Sequence, residues 1–140
     1  MAENAASGRV PPRPLSPHLQ IYRWPATMAS SIVHRMTGLA LTAGTVILAW
    51  WLAALAAGPD QYRLFCGLAA TPLGQLVLFV VLWSISFHIL SGFRHLVWDI
   101  GFGFAKKTSN GVSVVIILLS IVLAVGIFAL GYLKHHGGTP

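Results

Sequence analysis

Six side chains able to do chemistry stand inside stretches that are otherwise apolar. Ser31, His34 and Arg35 lie in one segment, and His88, His95 and Asp99 lie in another. The second segment, from Ser84 to Asp99, reads S-I-S-F-H-I-L-S-G-F-R-H-L-V-W-D. At about 100° per residue, a helix puts Ser84, His88, Ser91, Gly92, His95 and Asp99 on one stripe. The rest of that helix is mostly Leu, Ile, Val, Phe and Trp. A small and ionisable stripe on such a helix must face another helix, a cofactor or a water-filled cavity rather than lipid. Gly92, one turn after His88, removes bulk beside the imidazole, the gap that a flat group held by that ring needs. In the first segment, T-M-A-S-S-I-V-H-R-M-T-G, the residues Ser31, His34, Arg35 and Gly38 fall at i, i+3, i+4 and i+7, again on one face.

Two tasks suit this set. An imidazole in an apolar cavity can be an axial ligand to haem iron. Arg and His near the aqueous boundary can then hold the haem propionates by charge-assisted hydrogen bonds. Separately, a Ser–Arg pair can hydrogen-bond a quinone carbonyl, and nearby Asp and His can relay protons as the quinone is reduced. A low-spin b-type haem takes two axial ligands, and His88 is the single histidine at mid-membrane depth. The second ligand is therefore expected from another subunit. Structural readings stand beside these. His88 can be a hydrogen-bonded packing histidine, and Arg35 can snorkel to headgroups with His34 merely interfacial. Asp99 can pair with Arg94 or Arg35. Arg94 points about 120° from His88 on the helical wheel, which assigns it to headgroups or a partner.

These residues need helices to position them, and the composition supplies such helices. The chain has 140 residues, 56% hydrophobic and 9% charged, with a mean hydropathy of +0.74. Soluble domains carry roughly 25% charged residues, so that class is excluded. Residues 36–58, 64–93 and 108–133 contain no Asp, Glu, Lys or Arg. Each run exceeds the roughly 20 residues that cross a hydrocarbon core. The expected fold is all-α and integral to the membrane, with three transmembrane helices over about 26–57, 72–100 and 110–133. Before them, residues 1–24 form a Pro-rich basic arm, and residues 135–140 form a tail. The first connection, from Gly58 to about Pro72, reads as a short polar loop. The third helix carries no ionisable residue and reads as packing or lipid-facing, with Gly126 and Gly131 its only irregularities.

The net charge of +6 does not indicate nucleic acid. Arg9, Arg13 and Arg23 precede the first span, and Lys106 and Lys107 separate the second from the third, against Arg63 in the first loop and Lys134 at the tail. The positive-inside rule then places the N-terminus and second loop in the cytoplasm, or in a mitochondrial matrix. The N-terminus has no signal-peptide core and is poor in arginine for a presequence, which favours a bacterial inner membrane. The single cysteine, Cys66, excludes an intrachain disulfide and a thiolate cluster.

Three segments, R-P-L-S-P-H-L-Q-I-Y, S-I-V-H-R-M-T-G and H-I-L-S-G-F-R-H-L-V-W-D, occur in that order around the three spans. Together they resemble the cytochrome b membrane-anchor subunits of succinate dehydrogenase, respiratory complex II, over about residues 13 to 133. The resemblance implies a bundle shared with a second small haem-ligating anchor subunit, with one haem b held between the two. It implies docking of an iron–sulfur subunit and a flavoprotein subunit, and electron flow from succinate to ubiquinone. By matching motifs, His88 resembles the axial haem ligand, and His34, Arg35 and His95 resemble residues around the propionates. Ser31 and Arg35 resemble the quinone-site pair, and Asp99 a nearby acid that aids protonation. The subunit would be catalytic only inside its complex. An anchor of a quinol:fumarate reductase, or a cofactor-free structural or proton-transfer protein, remains as an alternative.

Overall fold

The computed structural model describes residues 22–137. The Pro-rich arm before Tyr22, with its R-P-L-S-P-H-L-Q-I segment, lies outside the described residues. Four helices follow in order: α1 (Ala26–Ala57), α2 (Pro59–Ala69), α3 (Pro72–Asp99) and α4 (Lys106–Gly137). Three of them, α1, α3 and α4, are long and apolar enough to cross a membrane. No strand occurs among the described residues. The chain is an all-α protein with three membrane-spanning helices.

Cross-helix pairs define the packing. His34 meets His88, and a side chain at Gly44 would meet Val81, so α1 and α3 run antiparallel. Arg94 meets Ser113, Trp83 meets Ser120 and Phe79 meets Phe128, so α3 and α4 run antiparallel as well. One end of the bundle therefore gathers the N-terminus of α1, the C-terminus of α3 and the N-terminus of α4. A bond across that end fixes it. Pro25, at the N-cap of α1, offers no side-chain cap. Asn110 of α4 supplies one, its Oδ1 accepting from the Ala26 N–H at 2.6 Å.

The interior is the reverse of a soluble core. Phe87 and Ala124 are fully buried, but they share the interior with hydroxyls: Ser30, Thr37, Ser84, Ser91, Ser113 and Ser120. Leu, Ile and Val dominate the exposed surface instead. Lipid is as apolar as leucine, so burying leucine gains little there; small side chains that let backbones approach closely gain more. Several of these hydroxyls are satisfied within their own helices. Ser113 donates to the Ser109 carbonyl at 2.8 Å, Ser120 to Ile117 at 2.8 Å and Thr37 to His34 at 2.9 Å.

Two features depart from the sequence expectation. The first connection is not a plain loop but the helix α2. Gly58 turns the chain with φ of +111°, Pro59 opens the helix, and Asp60 sits in its first turn, where the dipole favours an acid. Its buried Phe65 packs edge-to-face on Trp50 of α1, with ring centroids 5.0 Å apart. The exposed Asp60 pairs with Arg63 one turn on. Second, α4 starts at Lys106, ahead of the expected start near residue 110, and its two irregularities, Gly126 and Gly131, lie off its buried stripe. A side chain at either glycine would meet open space, whereas Ser113, Ile116, Ser120 and Ala124 form the buried stripe.

Candidate functional site

The six candidate residues separate into two groups. His34 of α1 and His88 and His95 of α3 come together. The His34 and His88 rings stack with centroids 4.0 Å apart and planes 13° apart, and His34 and His95 stack at 5.1 Å and 28°. His34 is thus the middle ring of a column of three imidazoles bridging α1 and α3. Ser31, Arg35 and Asp99 are exposed, and none takes part in a hydrogen bond or ion pair among the described residues. The carboxylate of Asp99 pairs with neither Arg94 nor Arg35; among the described residues the one ion pair is Asp60–Arg63.

The ring of His88 is held by two neighbours on α1: Thr37, which the sequence reading did not single out, and Gly38, which it placed on the polar face with His34. Its Nδ1 lies 3.3 Å from Thr37 Oγ1, and the Thr37 hydroxyl is 2% exposed. Gly38 comes beside the same ring, where an added Cβ would sit 3.4 Å from His88 Cε1. The glycine that gives the imidazole room inside this chain is therefore Gly38 of α1. A Cβ at Gly92 would meet nothing within 4 Å, so that side of α3 is open. Among the described residues no hydrogen bond occupies His88 Nε2.

His95 is oriented by its own helix. Its Nδ1 is 2.7 Å from the Ser91 carbonyl, an acceptor only, so Nδ1 carries the proton and donates. Among the described residues, His34 Nδ1 is buried without a hydrogen-bond partner, as is Ser30 Oγ one turn earlier. The column therefore presents imidazole nitrogens that no described residue engages.

Arg94 corrects the helical-wheel assignment to headgroups or partner. It is 5% exposed and turns toward α4. Nη1 donates to Ser113 Oγ at 2.6 Å and Nη2 donates to Ser91 Oγ at 3.3 Å. Its Cζ lies 4.6 Å from the centroid of the Trp98 ring. This is a cation held by two hydroxyls and an aromatic face, with no ion pair to an acid among the described residues. It stiffens the segment that carries His95, because Ser91 accepts from Arg94 through its side chain and from His95 through its carbonyl. A sequence signal existed: Ser109, Ser113, Ser120 and Ala124 make a small-residue stripe on α4.

Elsewhere, a cleft of about 540 Å³ opens between α1, α2 and α3. It is lined by side chains such as Leu41, Trp51, Phe65 and Val81 and has no ionisable group.

Among the described residues no three His, Cys, Asp or Glu side chains converge as a site for a metal ion. An imidazole nitrogen without a protein partner suits an iron whose remaining ligands come largely from a macrocycle, and in that sense the donor set fits a porphyrin.

Comparison with known proteins agrees with this architecture. Residues 9–128 match the family described as succinate dehydrogenase/fumarate reductase transmembrane subunit. The chain is 41% identical over 113 residues to the succinate dehydrogenase cytochrome b556 subunit of Paracoccus denitrificans, covering 81% of this chain and 87% of that protein. It is 40% identical over 111 residues to the same-named subunit of Rickettsia prowazekii, covering 79% and 86%. It is 36% identical over 120 residues to the mitochondrial succinate dehydrogenase cytochrome b560 subunit of Sus scrofa, covering 84% and 71%. With a match across most of its length and relatives well above 30% identity, this chain belongs to the succinate dehydrogenase/fumarate reductase transmembrane subunit family.

Proposed function

We propose that the chain is the haem b-binding anchor subunit of a succinate:ubiquinone oxidoreductase in a bacterial inner membrane, with its N-terminus in the cytoplasm. It anchors a flavoprotein subunit and an iron–sulfur subunit, and a second small membrane anchor contributes the other haem ligand. The observation that carries this reading is the column of His34, His88 and His95 beside the open face at Gly92, with His88 Nε2 uncommitted. Haem, when bound, supplies a one-electron carrier within the membrane. His88 would hold its iron, with Nε2 the nitrogen available for it. His34, Arg35 and His95 hold its propionates by charge-assisted hydrogen bonds.

Ser31 and Arg35, exposed one turn apart on α1, donate hydrogen bonds to a quinone carbonyl oxygen. Asp99, also exposed and in no ion pair among the described residues, supplies a proton to that oxygen on reduction. The same scaffold would serve quinol oxidation coupled to fumarate, a direction the family description includes. The relatives, named as succinate dehydrogenase subunits, favour succinate oxidation. Comparing turnover with succinate and with quinol plus fumarate separates the two.

The test of the haem reading is His88→Ala in the intact complex. The expected result is loss of most of the haem with the other subunits still assembled. A variant complex with full haem content would remove His88 from the ligand role.

A further inference from the structure

Thr37 lies on α1, one turn after His34 and across from His88. Its hydroxyl has one proton, and that proton goes to the His34 carbonyl at 2.9 Å. A carbonyl can only accept, so Thr37 Oγ1 has lone pairs but no proton left for His88. For the 3.3 Å contact to His88 Nδ1 to be a hydrogen bond, the imidazole must be the donor. With the proton on Nδ1, the lone pair of a neutral imidazole stands on Nε2, which has no hydrogen-bond partner among the described residues. The ring is also fixed in orientation. His34 stacks on one face at 4.0 Å, and Gly38 approaches Cε1 closely enough that an added methyl would be in contact.

We propose that Thr37 is a positioning residue for the haem ligand: by accepting the Nδ1–H of His88 it fixes the tautomer and ring angle that direct Nε2 outward. This rests on the haem-binding reading above. The Ser/Thr hydroxyl is a modest acceptor, but it is buried, and a buried N–H has no water to turn to. A hydrogen bond from the distal N–H makes a ligating imidazole more basic, which favours the oxidised iron. Loss of the hydroxyl therefore has two signatures beyond turnover. The haem midpoint potential rises, and the haem is held less tightly, by about tenfold or more if Thr37 behaves as orienting partners of metal-bound histidines usually do.

The experiment uses the purified complex with Thr37→Val, which keeps the branched shape, and Thr37→Ser, which keeps the hydroxyl. Haem stoichiometry, the rate of haem loss and the haem midpoint potential are measured for each. The proposal expects faster haem loss and a raised potential in Thr37→Val, with both restored toward the native values in Thr37→Ser. Unchanged potential and haem retention in Thr37→Val overturn it. Equal shifts in Val and Ser overturn it too, because the hydroxyl would then not be the cause. If Thr37→Val does not assemble, Thr37→Ala is compared with Thr37→Ser under the same criteria. A native complex without haem would refute the haem-binding reading itself, a result distinct from failure of Thr37 alone.

Discussion

Arg94 and Ser113 allow the packing account to be tested quantitatively. The guanidinium is 5% exposed and its 2.6 Å bond to Ser113 Oγ joins α3 to α4. Hydrogen bonds to charged groups contribute about 1.5–3 kcal/mol. Neutral interhelical hydrogen bonds in membranes average only about 0.6 kcal/mol, because the separated helices find other partners. A buried guanidinium has few substitutes, so the charged value should hold. Ser113→Ala leaves Nη1 buried without its acceptor and should cost about 2 kcal/mol. Arg94→Met removes the charge together with its desolvation penalty and fills similar space, so its cost should be smaller than a tally of lost contacts suggests. In the Arg94→Met background, Ser113→Ala should then cost little, giving a coupling of about 2 kcal/mol in the double-mutant cycle. The assay is equilibrium unfolding of the chain in mixed micelles on adding SDS, followed by circular dichroism. A coupling below about 0.5 kcal/mol, the level of an ordinary neutral pair, would refute the role given to Arg94.

Two glycines should differ sharply, although each sits at a helix contact. A methyl at Gly74 would collide with the Leu68 carbonyl oxygen and lie 2.8 Å from Ala69 Cα, so Gly74→Ala must open the α2–α3 corner and lose about 3 kcal/mol in the same unfolding assay. A methyl at Gly44 would lie 3.1 Å from the Val81 side chain, which can shift, so Gly44→Ala should cost about 1 kcal/mol or less. At the quinone, Ser31→Ala and Arg35→Ala should each lower succinate-driven quinone reduction, Arg35→Ala by about tenfold or more from a lost charged hydrogen bond, with haem largely kept. Unchanged quinone kinetics in both variants would contradict the assignment.

The sequence made some features legible and hid others for physical reasons. Charge-free runs revealed the three spans, because the cost of carrying ions across a bilayer leaves a mark on composition. Helical periodicity brought His34, His88 and His95 to facing sides of two helices, and the structure joins them in one column. Periodicity could not give the rotation of α3 against α4. Arg94 was therefore assigned outward, although two serines and Trp98 hold it inside. Nor could it show which glycine accommodates the imidazole. Gly92 lies on the same helix as His88, but Gly38, on another helix, makes the close approach. Thr37 escaped notice because its role arises from a contact across 51 positions of sequence, not from a local spacing. Helix α2 was hidden by its polar surface; Gly58-Pro59-Asp60 was its start signal.

The most direct test of the central claim is an absorption spectrum of the complex extracted gently from its native membrane, reduced with succinate and compared with the air-oxidised sample. The account predicts a b-type haem signal produced by succinate itself, which requires haem in electronic contact with a succinate-oxidising partner. Absence of a haem signal even with dithionite would contradict the ligand role of His88. Haem reduced by dithionite but not by succinate would contradict the proposed electron donor.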